Sequence, residues 1–248
     1  MEFLPLGVLE FYRRTFLIRQ QIQKLNAFDV PSTNDFDKEE NKQQQINKQL
    51  TIIDNLTQFA AEKQRCTCVL TGGYAVEAIS GGKITRLHGD VDLLWFGDFN
   101  PEETIERLKS LGFEDVSFQK VQLSDKEEKI IFKAGDNKIE IRIKKSKLEK
   151  ELYKKRLIYG DREIEVFTFS VNALIISKLY AFLDNKTPHD QKRKTRDTDW
   201  YDLLRLIKNP DFSLGKILVE LKRHKKLNEF SNLLEDLLHF LEESKKNN

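Results

Sequence analysis

Two groups of residues stand out for the chemistry their types and spacing allow: Gly72-Gly73, and Asp90-Val91-Asp92 further along. The diglycine follows the apolar run Val69-Leu70 and precedes a helix-like segment. Without Cβ atoms, such a turn brings backbone N–H groups close to a phosphate, and the start of the following helix favours an anion. Asp90 and Asp92 lead into Leu93-Leu94-Trp95-Phe96. Side chains alternate along a strand, so the two carboxylates share a face while Val91 and Leu93 point inward. Like charges so placed call for a cation, and Mg²⁺ is commonly held by one or two carboxylates plus substrate phosphates.

The elements that must position these groups follow from the pattern. Val69 to Trp95 reads as strand, glycine turn, short helix, loop and strand. Residues 5–25 and 38–64 carry apolar residues at helical steps, with a turn-rich linker at 26–37. Asn100-Pro101-Glu102-Glu103 reads as a helix start and Gly112 as its end. Val116, Phe118 and Val121 suggest a strand. Lys129–Lys133 and Lys138–Lys144 flank Ala134-Gly135-Asp136-Asn137 as a β-hairpin. Residues 146–156 give no clear pattern, 163–168 suggest a strand, and helices are expected at about 170–185, 197–208, 213–224 and 227–243.

The run Gly72, Gly73, Tyr74, Ala75, Val76, Glu77, Ala78, then Arg86 and His88-Gly89-Asp90-Val91-Asp92-Leu93, resembles the nucleotidyltransferase superfamily, the polymerase-beta-like fold. Its closest likeness is to bacterial aminoglycoside and lincosamide nucleotidyltransferases. The resemblance implies an α/β (α+β) fold: a nucleotidyltransferase-like mixed sheet core at 65–168, an N-terminal helical segment at 1–64 and a C-terminal helical domain at 169–248. It also implies two Mg²⁺ ions held by Asp90 and Asp92, with Glu140 as a third carboxylate that binds metal or deprotonates the attacking hydroxyl. Gly72, Gly73, Arg86, His88 and Lys178 would meet the nucleotide, and Glu77 and Asp199 the acceptor.

Each assignment has a plainer alternative. Glu140 lies in the alternating strand Ile139-Glu140-Ile141-Arg142-Ile143 and reads equally as a solvent-facing residue paired with Lys or Arg. His88 reads as a loop imidazole, Glu77 as an exposed helix charge, and Lys178 as a lysine snorkelling from an apolar helix. The basic run His189–Arg196 would grip phosphates or an RNA backbone.

Bulk properties set wider bounds. Across 248 residues, 33% are charged, yet the net charge is only +2, which makes no case for nucleic-acid binding by charge alone. Cys66 and Cys68 sit too close in one strand to pair and are too few for a zinc site, so both are read as small residues of a reduced protein. No apolar run approaches the ~20 residues needed to span a bilayer. The start lacks a basic region before its apolar part, so a cytoplasmic location is expected. The expected activity is Mg²⁺-dependent transfer of NMP from an NTP to a hydroxyl of a small antibiotic-like molecule. The rival readings are a toxin-type enzyme acting on tRNA or protein, and a degenerate nucleotide-binding protein.

Overall fold

The computed structural model describes residues 6–29, 40–63, 66–124, 127–144, 151–184 and 197–246. In chain order the elements are α1 (Leu6–Leu25), α2 (Glu40–Glu62), β1 (Thr67–Leu70), α3 (Gly72–Ile79), β2 (Val91–Phe96), α4 (Pro101–Ser110), β3 (Ser117–Ser124), β4 (Glu127–Ala134), β5 (Asn137–Lys144), β6 (Tyr153–Tyr159), β7 (Arg162–Thr168), α5 (Val171–Asp184), α6 (Asp197–Ile207), α7 (Leu214–Arg223) and α8 (Leu227–Lys246). They form two units: Ser32–Ser170, and Met1–Pro31 together with Val171–Asn248.

The first unit is built on a seven-stranded mixed sheet of order β3-β4-β5-β2-β1-β7-β6. Its centre is β2, which runs antiparallel to β1 and parallel to β5. The odd-numbered side chains of β2, Val91, Leu93 and Trp95, are fully buried. Trp95 meets Phe59 of α2, with ring centroids 5.8 Å apart. Helix α2 owes its place to the apolar stripe Ile46, Leu50, Ile53 and Leu56, all buried. It is also fastened to α4, where Arg107 forks onto both Glu62 oxygens at 2.7 and 2.8 Å and donates to Asn55 Oδ1 at 2.9 Å. The even-numbered face of β2 is divided. Leu94 and Phe96 join Val69 in an apolar cluster, whereas Asp92 at the other end does not.

Local signals did their expected work. Asn100 caps α4 by accepting from the Glu102 N–H at 3.0 Å, with Pro101 in the first turn. The β4–β5 hairpin turns at Gly135, whose φ of +58° suits a residue without Cβ. Strand β6 emerges from the stretch that gave no clear pattern. It is an edge strand with both faces partly exposed, and its charges pair with β7 (Lys154 to Glu165, 2.7 Å; Arg156 to Glu163, 3.1 Å), which erases the apolar alternation.

The second unit is helical. Here α1 packs along α8. Gln21 donates to the Ser231 carbonyl at 3.1 Å and accepts from its hydroxyl at 3.2 Å. Phe230, Leu233, Leu234, Leu237, Leu238 and Leu241 of α8 are buried. Trp200 stacks on Phe182 at 4.6 Å. The grouping of residues 1–64 as one helical segment therefore does not describe the contacts, since α1 joins the C-terminal helices and α2 joins the sheet. Both cysteines are free thiols, and burial pushes that of Cys68 up to about 12. Among the described residues, no helix is long and apolar enough to cross a membrane.

Candidate active site

The diglycine bend is fixed to β2 from two directions. The Thr71 N–H donates to the Asp92 carbonyl at 2.9 Å. Gly72 has φ +64°, and a Cβ there would fall 2.1 Å from Asp92 Oδ2. The bend therefore needs glycine both for its conformation and for the space the Asp92 carboxylate takes. Gly73 needs it for space, because a Cβ would fall 2.1 Å from His88 Nδ1 and 3.2 Å from Arg86 Nη2. The turn thus gathers Asp92, His88 and Arg86, three of the residues expected at the site.

The loop between α3 and β2 is held by backbone bonds. Gly82 accepts from the Ile158 N–H at 2.8 Å and Ile84 donates to the Ile158 carbonyl at 3.0 Å, which lays the loop along β6. Beneath it runs a buried polar network. Gln49 of α2 donates to the His88 carbonyl at 3.0 Å and accepts from the Tyr74 hydroxyl. The Tyr74 ring lies 4.2 Å from the His88 imidazole. Glu77, only 1% exposed, accepts from Thr85 Oγ1 at 2.7 Å and lies 3.5 Å from His88 Nε2.

These contacts correct two expectations. Glu77 is committed to the interior and does not face an incoming acceptor, nor is it an exposed helix charge. His88, 4% exposed, packs its ring against Gly73. Gln49 was not foreseen. Its only trace in the sequence is a polar residue on the apolar stripe of α2, three positions after Ile46.

The acids lie on the even-numbered face. In the parallel β2–β5 register Asp92 pairs with Glu140. Glu140, 8% exposed, is held by two lysines, with Lys138 on Oε1 and Lys129 on Oε2. Lys138 also lies 3.5 Å from Asp90 Oδ2. Burial acts to raise the Glu140 pKa, but the two ammonium groups outweigh it and hold the carboxyl below its ordinary range. Burial likewise opposes the charge on Lys138, and Glu140 and Asp90 outweigh that, so its pKa is raised. Glu140 is thus a strand acid paired with lysines, but buried and not solvent-facing. Among the described residues no three His, Cys, Asp or Glu side chains converge closely enough to hold a metal.

The donor chemistry still suits a cation. An ammonium already bridges Asp90 and Glu140, and the Asp92 carboxylate sits in a hollow that a Cβ on Gly72 would fill. Mg²⁺ taken up here would be held by Asp90 and Asp92, both half-buried with access to water.

In the helical unit, Lys178 donates to Asp199 Oδ1 at 2.9 Å and to Asp202 Oδ2 at 3.0 Å. Burial disfavours its charge, but Asp202 and Asp199 outweigh this and raise its pKa. Lys178 is therefore a half-buried cation paired with two acids. Asp199 is its partner. The basic run His189–Arg196 lies outside the described residues.

Residues 55–246 match the family described as Nucleotidyl transferase AbiEii toxin, Type IV TA system. Among solved structures, JHP933 from Helicobacter pylori is similar over 84% of this chain and 97% of its own, at 16% identity and a TM-score of 0.44. A candidate nucleotidyltransferase from H. pylori is similar over 82% of this chain and 92% of its own, at 17% identity and a TM-score of 0.45. No curated protein matches the chain. The superfamily inferred from the motifs is supported, but the closer likeness to antibiotic-modifying enzymes is not, because the matching family is one of toxins. With the diglycine bend and both aspartates inside the matched residues, the chain belongs to the AbiEii nucleotidyltransferase toxin family and is a nucleotidyltransferase.

Proposed function

We propose that this enzyme is a toxin that moves an NMP group from an NTP to a hydroxyl of tRNA. The observation that carries the reading is the seating of Gly72 on the Asp92 carboxylate, with Asp90 just before β2 and 3.5 Å from Lys138, in a chain of a toxin family. In the reaction the acceptor oxygen attacks the α-phosphorus, the bond to the bridging oxygen breaks, pyrophosphate leaves, and the hydroxyl proton passes to a base. The bend and the first turn of α3 would take the phosphates, and Thr71 places no side-chain cap over those amides. Arg86, beside Gly73, would add a positive charge there. Mg²⁺ held by Asp90 and Asp92 would supply Lewis acidity at the phosphate oxygens. Glu140 would complete the acidic face. Family membership also points to a cognate antitoxin as partner, and the expected setting is the cytoplasm.

The alternative acceptor, a small hydroxylated antibiotic, loses the acid lining first imagined for it, since Glu77 is buried and Asp199 is bonded to Lys178. Incubation with each labelled NTP, Mg²⁺, total tRNA and an antibiotic panel decides between them. Label on tRNA that disappears with Asp90→Asn supports the proposal. Label only on protein or on a small molecule rejects the tRNA acceptor, and no label at all rejects the activity.

A further inference from the structure

The solvent side of α1 carries two large rings that stand out from the helical unit. Tyr12 is 61% exposed and Phe16, one turn on, is 59% exposed. The apolar face of the helix is already committed, since Ile18, Ile22 and Leu25 are buried. At about 3.6 residues per turn, Arg13, Arg19 and Lys24 fall on the same exposed arc as the rings, with Gln20 and Gln23 among them. No acid occurs from Tyr12 to Leu25, and Glu10, the one acid of α1, is tied to Arg14 at 2.8 Å. The near-neutral total of the chain conceals this local positive charge.

The end of α7 continues the arc. Lys222 Nζ lies 4.6 Å from the centre of the Phe11 ring, and Phe11 meets Tyr12 edge-on at 5.9 Å. Next to Lys222 in the chain, Arg223 is exposed, as is Lys225. Exposed rings set among cations match a ligand that offers a flat base and a phosphate in every unit, which is unpaired RNA. A membrane surface would call for a broad aliphatic stripe, and on α1 that stripe is buried where the helix packs along α8. An acidic peptide would satisfy the cations but not the rings.

We propose that the exposed arc of α1, continued by Lys222, Arg223 and Lys225, docks unpaired nucleotides of the tRNA acceptor. Tyr12 and Phe16 stack bases, and Arg13 and Arg19 neutralise phosphates. The inference rests on the tRNA reading given above.

The test measures binding of total tRNA to the full chain over a range of salt, beside transfer of labelled NMP to the same tRNA. Tyr12→Ala with Phe16→Ala should weaken binding at least about tenfold, as two lost stacking contacts require. Arg13→Gln with Arg19→Gln should reduce the slope of log affinity against log salt by about 1.4–1.8, the share of two phosphate contacts. All four side chains are solvent-facing, so both pairs should melt with wild type. Lys109→Gln with Lys120→Gln, two exposed lysines of the sheet unit, should bind as wild type does. An equal loss in that control means attraction by overall charge and overturns the inference. Unchanged binding in both α1 pairs, with wild type still labelling tRNA, overturns it and leaves the acceptor standing. Tighter binding to phosphatidylserine vesicles than to tRNA, or competition by polyglutamate as strong as by RNA, gives the face another occupant and overturns it too. A wild-type chain that neither binds nor labels tRNA overturns the acceptor and the inference together.

Discussion

The sheet and the helical unit each contain a charge cluster, and the two are built in opposite senses. On the sheet a carboxylate is central, with Glu140 between Lys129 and Lys138. In the helices a cation is central, with Lys178 between Asp199 and Asp202. Removing the central group leaves two like charges facing each other in either case. Each cluster mixes depths, since Asp202 is buried while the Asp199 side chain is 40% exposed, and Glu140 is buried while that of Asp90 is 30% exposed. What separates the two is the sign of the central charge, and on the sheet Asp90 and Asp92 stay in reach of solvent.

Four substitutions would break or sharpen that contrast. The largest effect is expected from Asp90→Asn, which should lower nucleotide transfer by about a hundred- to a thousandfold, the range seen when one electrostatic stabiliser is lost, with the melting temperature nearly unchanged. Near-full transfer by this variant would remove the sheet cluster from the chemistry. Next, Lys178→Met takes the cation from the buried Asp202 and from the partly exposed Asp199, and should cost about 3 kcal/mol in urea unfolding. A loss under 1 kcal/mol would mean the helical cluster adds little to the fold. Gly72→Ala combines a left-handed φ with a collision against Asp92, and should cost about 1–3 kcal/mol and slow transfer. If crystals of this variant showed Asp92 unmoved and full activity, the close seating would be unnecessary.

The smallest effect separates the clusters by pH. The Glu140 pKa is depressed, so its stabilising contribution is full above the ordinary carboxylate value and fades as pH falls through the lower folded value. The Lys178 pKa is raised, so its contribution is full below the ordinary lysine value and fades only as pH rises through the higher folded value. Glu140→Gln should therefore flatten the acid limb of a stability–pH curve, and Lys178→Met the alkaline limb. If either substitution acted on the opposite limb, the assigned pairing would be wrong.

What could be read from the chain beforehand follows from distance along it. Gly72, Gly73, Asp90 and Asp92 belong to neighbouring elements, so spacing alone placed them together. The hairpin around Gly135 and the cap at Asn100 are likewise local. Glu140 stood out by strict alternation, but its partners did not, because a lysine on a half-exposed strand looks the same whether it faces water or a carboxylate. Gln49 comes from another helix and contacts His88 only through tertiary packing. The pairing of α1 with α8 spans nearly the whole chain, and no periodicity reports which helix another will choose. For Glu77 and His88 a family pattern gives their order and not their depth.

Asp92 grips the preceding turn twice, through its peptide oxygen to Thr71 and through its side chain against Gly72. One residue therefore fixes the turn by both its main chain and its side chain. A displacement of β2 would carry the diglycine turn along with it, and the acid and the turn should stay aligned through any breathing of the sheet that leaves this strand whole.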